Sequence, residues 1–269
     1  MKIHYKIKSE NYEFYATITE IENHEYRIKF GGARQCINVS VYKDSSESSL
    51  ANLNGVSYDL ECSIDKNLLA GDGTAEMLKC CLKFLLYIYP NIKGYTFKDH
   101  SKVTCSRNVV IPLYYFYMIK HNKTWYQHKF NAKPKDKDEI IHINELFEFL
   151  SNETTKVSLD NFYKTYVVAS GCKLKNFKEF FGEIYNKNKC YYDFLKEVID
   201  SYDCGILQIW FQYFMYKHCK FNFGEAFWLI RKSEINKWND VTYEKIDTKP
   251  RFKKNYEGGF FPFGKNSST

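Results

Sequence analysis

The sequence predicts an α+β fold: a mixed, mostly antiparallel sheet with packed helices, followed by a mainly helical C-terminal region. Three observations predict it. Strict two-residue alternation of apolar and polar side chains recurs before residue 65. A glycine-rich turn and an amphipathic helix follow, and from Asp138 onward only helical spacing remains. The 269 residues, 44% apolar and 26% charged, suffice for a core without disulfides or structural metal. Thirteen Gly and five Pro are few for that length, so regular elements should outweigh loops, and an aromatic share of 18% promises a core rich in rings.

Ile3, Tyr5 and Ile7 alternate with Lys2, His4, Lys6 and Lys8, and the lysines suit the outer side of a sheet edge. Tyr12–Ile21 reads as a second strand. Tyr26, Ile28 and Phe30 mark a third, and Ile37, Val39 and Val41 a fourth. Tyr58, Leu60, Cys62 and Ile64 predict a further strand ending near Ile64. Gly31-Gly32 and Asn54-Gly55 read as turns between strands.

After Gly71-Asp72-Gly73-Thr74 the spacing of Leu78, Cys81, Leu82, Leu85, Leu86 and Tyr89 predicts a helix over Ala75–Tyr89, stopped by Pro90. Ile92–Phe97 reads as a short strand, Val109–Lys120 as a helix with Pro112 in its first turn, and Thr124–Phe130 as another helix. Ser158 can cap a helix over Leu159–Ala169. Phe177, Phe180, Phe181, Ile184 and Tyr185 mark one more helix face; Phe194, Leu195, Val198, Ile199 and Tyr202 mark the next. Ile206–Tyr216 looks buried on most sides, and Phe227–Trp238 reads as the last helix. The run Lys133-Pro134-Lys135-Asp136-Lys137 marks a boundary, giving a strand-rich unit over 1–135, a helical region over 136–240 and a basic tail over 241–269. In that tail, Gly258-Gly259-Phe260-Phe261-Pro262-Phe263-Gly264 is an apolar patch expected to meet a groove or a protein partner.

Much of the net charge of +7 comes from Lys245 onward, where Lys245, Lys249, Arg251, Lys253, Lys254 and Lys265 face only Asp247 and Glu257. The rest is too mildly basic to argue for a nucleic-acid ligand. Nine cysteines without C-x-x-C spacing suit a reduced, intracellular chain, and the start carries no signal-peptide core. No stretch is long and apolar enough for a membrane span. A cytoplasmic location is therefore expected, with neither membrane nor metal: His121 and His128 have no Cys or acidic companion at ligand spacing.

Chemistry is best sought at the turn Gly71–Thr74. Glycines let backbone N–H groups approach a ligand, and a helix N-terminus favours an anion. Leu68-Leu69-Ala70-Gly71-Asp72-Gly73 and then Thr124-Trp125-Tyr126-Gln127-His128-Lys129-Phe130 resemble, in order and spacing, the core of the GNAT superfamily of N-acyltransferases. There a pyrophosphate-binding turn opens a helix, and a Tyr four residues before a Phe follows the next strand. Ala70–Ala132 also looks like uncharacterised proteins of large nucleocytoplasmic DNA viruses, which implies a viral origin and a host cytoplasm but no activity.

The resemblance implies an acyl group moving from coenzyme A to an amine, with acetyl-CoA or another acyl-CoA as cofactor and an amine acceptor, small or protein. Ala70, Gly71, Asp72, Gly73 and Thr74 would hold the pyrophosphate, and Tyr126 would protonate the departing thiolate. Asp99 or His100, after the next strand, could take the amine proton. Leu68 stands where the family has Arg or Gln, and Asp72 brings a negative charge to a phosphate loop. A second reading, an inactive GNAT-like scaffold that binds a protein partner through its helical region and tail, therefore stays open. In it the turn is only a helix cap, and Tyr126 only packs.

Overall fold

The computed structural model describes the chain except residues 22–24, 43–49, 106–109, 173, 175, 203, 220–222, 251 and 253–269. The apolar part of the tail, Gly258–Gly264, lies outside the described residues. Four alternating segments form the first four strands: β1 Lys2–Lys8, β2 Glu13–Glu20, β3 Glu25–Gly31 and β4 Gln35–Tyr42. They pair as an antiparallel meander with Ile7, Phe14, Ile18, Ile28, Phe30 and Val39 in the core.

The next strand is not the expected one. β5 is Leu50–Val56, antiparallel to β4. Asn54-Gly55 lies inside it: Val39 pairs with Leu53 and Asn38 with Gly55, so Asn54 is the extra residue of a β-bulge. The segment Tyr58–Ile64 alternates because it is anchored at intervals. Its centre is a single 3-10 turn, Leu60–Cys62, capped by the Asp59 side chain. Cys62 is fully buried and bonded to Cys36, while Arg34 pairs with Asp59 and Glu61.

Helix α1, Asp72–Ile88, follows and crosses to β6, Gly94–Lys98, which lies parallel to β5. A small hairpin, β7 Lys102–Thr104 with β8 Val110–Pro112, leads into α2, Leu113–His121. The expected helix over Val109–Lys120 thus starts four residues late, with Pro112 as its N-cap. α3, Trp125–Phe130, opens on a capping box between Thr124 and Gln127. Lys133–Pro134 forms the short β9.

The helical layer contains α4 Lys137–Ser151, α5 Leu159–Phe162, α6 Phe177–Lys187, α7 Tyr191–Ser201 and α8 Gln208–His218. The single helix expected over Leu159–Ala169 changes to π-helical geometry at Tyr163–Val168. Its hub is Phe162, ringed by Tyr166, Phe177, Tyr185, Tyr191, Trp210 and Phe214. Such ring contacts, edge-on and offset, add to the burial of large apolar surfaces.

Two later segments return to the sheet, against the sequence expectation. Phe227–Arg231, expected to be helical, is β10: Trp228 and Ile230 are buried while Phe227 and Arg231 face outward, a period of two over five residues. Only Lys232–Ile235 behind it is helical, as α9. Thr242–Ile246, expected in the tail, is β11 and pairs with β1, which is therefore not an edge. The sheet runs β11-β1-β2-β3-β4-β5-β6-β10-β9, and among the described residues β5–β6 is its one parallel pairing. Even the boundary segment is a strand, since Lys133 pairs with Leu229 and Pro134 with Trp228. Buried residues of sheet and helices belong to one continuous apolar cluster.

The cysteines depart from the reduced state expected of them. Cys36–Cys62 and Cys105–Cys204 are disulfides rather than free thiols. Cys80, Cys81 and Cys190 are buried free thiols.

Lys83 shows how the chain end is held. This buried ammonium on α1 donates to the carbonyls of Asn236 and Trp238 and pairs with Asp240, fixing the segment that leads into β11. Lys83→Met keeps the buried stem but leaves both carbonyls without their charged donor. It should lower stability by about 2 kcal/mol, read as a shift in the urea midpoint at unchanged slope.

Candidate functional site

β5 and β6 pair only over Leu50–Asn52 with Gly94–Thr96. Beyond that, β5 stays with β4 and β6 stays with β10, so the two strands part on their shared side. A side-chain hydrogen bond from Thr96 Oγ1 to Asn52 Oδ1, 2.8 Å, closes the last shared rung. Past it opens a cleft of about 430 Å³. Asn54, Gly55 and Val56 form one wall, Phe97, Lys98, His100 and Ser101 the other, and Tyr126 and Phe227 complete the lining.

Two of the residues singled out from sequence line this cleft. Tyr126, on α3, packs its ring on Phe97 with centroids 4.3 Å apart and between Trp125 and Phe130. Burial, with the nearby Asp99 charge, drives its phenol far above the ordinary range, so it stays protonated at neutral pH. His100 is exposed and lines the opposite wall. Asp99 is fully buried. One of its oxygens accepts from the backbone N–H and hydroxyl of Ser101, and the other has no partner among the described residues. Burial pushes its carboxyl up to about 6, against the opposing pull of the Ser101 hydrogen bonds and His100.

The turn Ala70–Thr74 does not line the cleft, although it lies at the same end of the sheet. β5 and β6 are parallel, and α1 runs back between them, so its N-terminus sits by their C-terminal ends. Gly71 is the N-cap with φ +73° and is open: a Cβ there would meet nothing within 4 Å. Gly73 is closed in, since a Cβ would come within 3.1 Å of the Tyr12 hydroxyl and 3.3 Å of Leu68 and Leu69. Asp72 is exposed and pairs with Lys129 of α3 at 2.7 Å, which holds its carboxyl below the usual range. The buried Thr74 hydroxyl in the first turn has no partner among the described residues. α3 therefore spans both places, with Tyr126 at the cleft and Lys129 at the helix start.

Sequence reasoning missed Asn52, Asn54, Gly55, Thr96, Lys98 and Phe227. The signal for three of them is the segment Leu50–Val56, where Asn54-Gly55 reads as a turn although a bulge holds it within a strand. Lys98 and Phe227 meet only in the fold: the ammonium stands 5.3 Å from the ring and pairs with Glu225.

Among the described residues there is no group of three or more His, Cys, Asp and Glu side chains placed to hold a metal. No helix among them is long and apolar enough to cross a membrane. No family model, curated protein or solved structure matches the chain.

The buried Asp99 carboxylate sets a pH dependence. With its folded pKa near 6 and an unfolded value near 3.9, Asp99 holds its proton longer in the folded state. Its contribution is full below pH 4 and is lost as the pH rises to 6, by about 3 kcal/mol at most. Asp99→Asn retains an acceptor for Ser101 and removes the charge. It should be more stable than the wild type in urea at pH 7, and the gain should vanish at pH 4.

Proposed function

We propose that the chain is an N-acyltransferase that holds an acyl-coenzyme A, acetyl-CoA or a relative, in the cleft between β5 and β6. One observation carries the reading: two parallel strands part beside a helix N-terminus, and a protonated Tyr faces the gap. Among the described residues, the strand edges that turn toward each other have no ladder partners, so they offer amide groups to an extended, amide-containing ligand arm. At the same end the first N–H groups of α1, the Thr74 hydroxyl and Lys129 favour the pyrophosphate. The amine nitrogen attacks the thioester carbonyl; the N–C bond forms and the C–S bond breaks. His100 or Asp99 accepts the amine proton, and Tyr126 supplies the proton that the leaving sulfur takes up. A host cytoplasm and a viral origin remain part of this proposal, and two disulfides must then form there.

A second reading, an inactive scaffold for a protein partner, is favoured by the start of α1. Gly73 is spent on packing against Tyr12 and Leu68, and the Asp72 carboxylate already sits at the helix N-terminus, neutralised by Lys129. Helical region and tail would then carry the partner surface, and no acyl-CoA would bind.

Calorimetric titration with acetyl-CoA separates the two. Under the first reading the wild type binds, and Gly55→Leu, whose Cβ meets open space at the cleft wall, loses binding with an unchanged melting temperature. Asp72→Asn frees Lys129 and should bind several-fold tighter. Tyr126→Phe should bind equally but turn over at least about tenfold more slowly. A wild type that shows no heat of binding refutes the enzyme and leaves the scaffold.

A further inference from the structure

The two disulfides fasten the two chain segments that leave the ends of the cleft strands. Cys36, at the start of β4, holds Cys62 in the connection between β5 and α1. Cys105 follows β7, the strand entered directly from Asp99, His100 and Ser101. Its partner Cys204 stands in the 3-10 turn Cys204–Ile206 that precedes α8. Cys105–Cys204 is the disulfide that cross-links the hairpin leading out of the cleft wall to the helical layer.

The two bonds differ in access. Cys36 and Cys62 are 2% and 0% exposed, sealed in the core. Cys105 is buried, but Cys204 is only half-buried, so an attacking thiolate can reach the second bond at one sulfur. Ile111 of the hairpin is buried in the core and Val103 packs against it, and among the described residues the polar ties that hold the hairpin are few. Lys102, Val103 and Thr104 pair with Pro112, Ile111 and Val110, Leu113 N–H donates to the Ser101 carbonyl, and half-buried Gln212 donates to the Val110 carbonyl.

We propose that Cys105–Cys204 is a redox-sensitive tether that clamps the His100–Ser101 wall of the cleft to the helical layer, and that a dithiol reductant opens it while Cys36–Cys62 stays closed. The reductant's thiolate attacks Cys204 Sγ, the Cys105–Cys204 bond breaks, and Cys105 leaves as a thiolate that takes up a proton. The second thiol of the reductant then displaces Cys204 and becomes part of the reductant's own disulfide. Two thiols remain on the protein, and two electrons and two protons have come from the dithiol. The proposal stands whether or not the cleft holds an acyl-CoA.

The test uses the full chain purified without reductant, its free thiols first blocked with N-ethylmaleimide, and dithiothreitol as the dithiol. After brief reduction, iodoacetamide should label Cys105 and Cys204 well before Cys36 and Cys62, read by mass spectrometry. Amide hydrogen exchange should then quicken at least about tenfold in peptides covering 99–104 and 110–113, with β1–β4 unchanged. The double variant Cys105→Ser/Cys204→Ser should show the same fast exchange without reductant, and Cys36→Ser/Cys62→Ser should not show it there. Labelling of Cys36 and Cys62 first or together with the other pair overturns the proposal. So does unchanged exchange in the hairpin after the bond is broken, or free thiols at 105 and 204 in the purified chain.

Discussion

Three rungs of parallel ladder, Leu50–Asn52 with Gly94–Thr96, carry the architecture. They join two antiparallel parts, β11 to β5 on one side and β6, β10 and β9 on the other, into one sheet. A parallel pair needs a crossover, and α1 supplies it, so its N-terminus must come to the end where the strands separate. The joint is reinforced away from the gap. The Tyr95 hydroxyl donates to the Leu82 carbonyl of α1, and Gly94 lets β10 come so close that a Cβ there would lie 2.6 Å from the Ile230 carbonyl oxygen. With its attachments on that side, β6 follows β10 after Thr96 rather than β5.

The parting is also prepared on the other strand. The bulge at Asn54 adds twist to β5 at the point where the ladder to β6 ends, and bulges at such places re-aim side chains. Strand edges without ladder partners cost free energy when buried, so the gap has to be wet or filled. Its lining meets that demand with Asn54, Lys98, His100 and Ser101. Asp99, by contrast, keeps an oxygen that has no partner among the described residues out of water, an arrangement that a protein core avoids unless the charge has a use.

Legibility in the sequence followed locality. The first four strands, α1, β6, α3, α6 and α7 announce themselves by periodicity because each buries one face against a partner the pattern need not specify. Where burial is set by distant partners, the pattern misleads. Tyr58–Ile64 alternates because of a disulfide and two ion pairs with Arg34, and Phe227–Arg231 is too short for its period of two to stand out against apolar neighbours. Tyr126 and His100 could be named from order along the chain; that they face each other's walls could not. The Gly71–Thr74 turn was legible as a helix start, but the side chains that close over Gly73 come from Tyr12, about sixty residues earlier, as well as from Leu68 beside it.

The helical layer gains a mechanical connection to the cleft from this arrangement. One cleft wall rests on β5, which is paired along its outer side and backed by the core. The other continues past Lys98 into Asp99–Ser101, where the chain has left the sheet. From there on its supports come from elsewhere: the Leu113 amide at the start of α2, the Gln212 side chain of α8 and the Cys204 sulfur. Tyr126 is likewise carried by α3, which packs against α2 and, through Lys129, against the first turn of α1. A displacement of the helical layer would therefore be felt by His100, Ser101 and Tyr126 and hardly by Asn54 or Gly55. One wall of the cleft is thus a property of the sheet, and the other is a property of whatever the helices are doing.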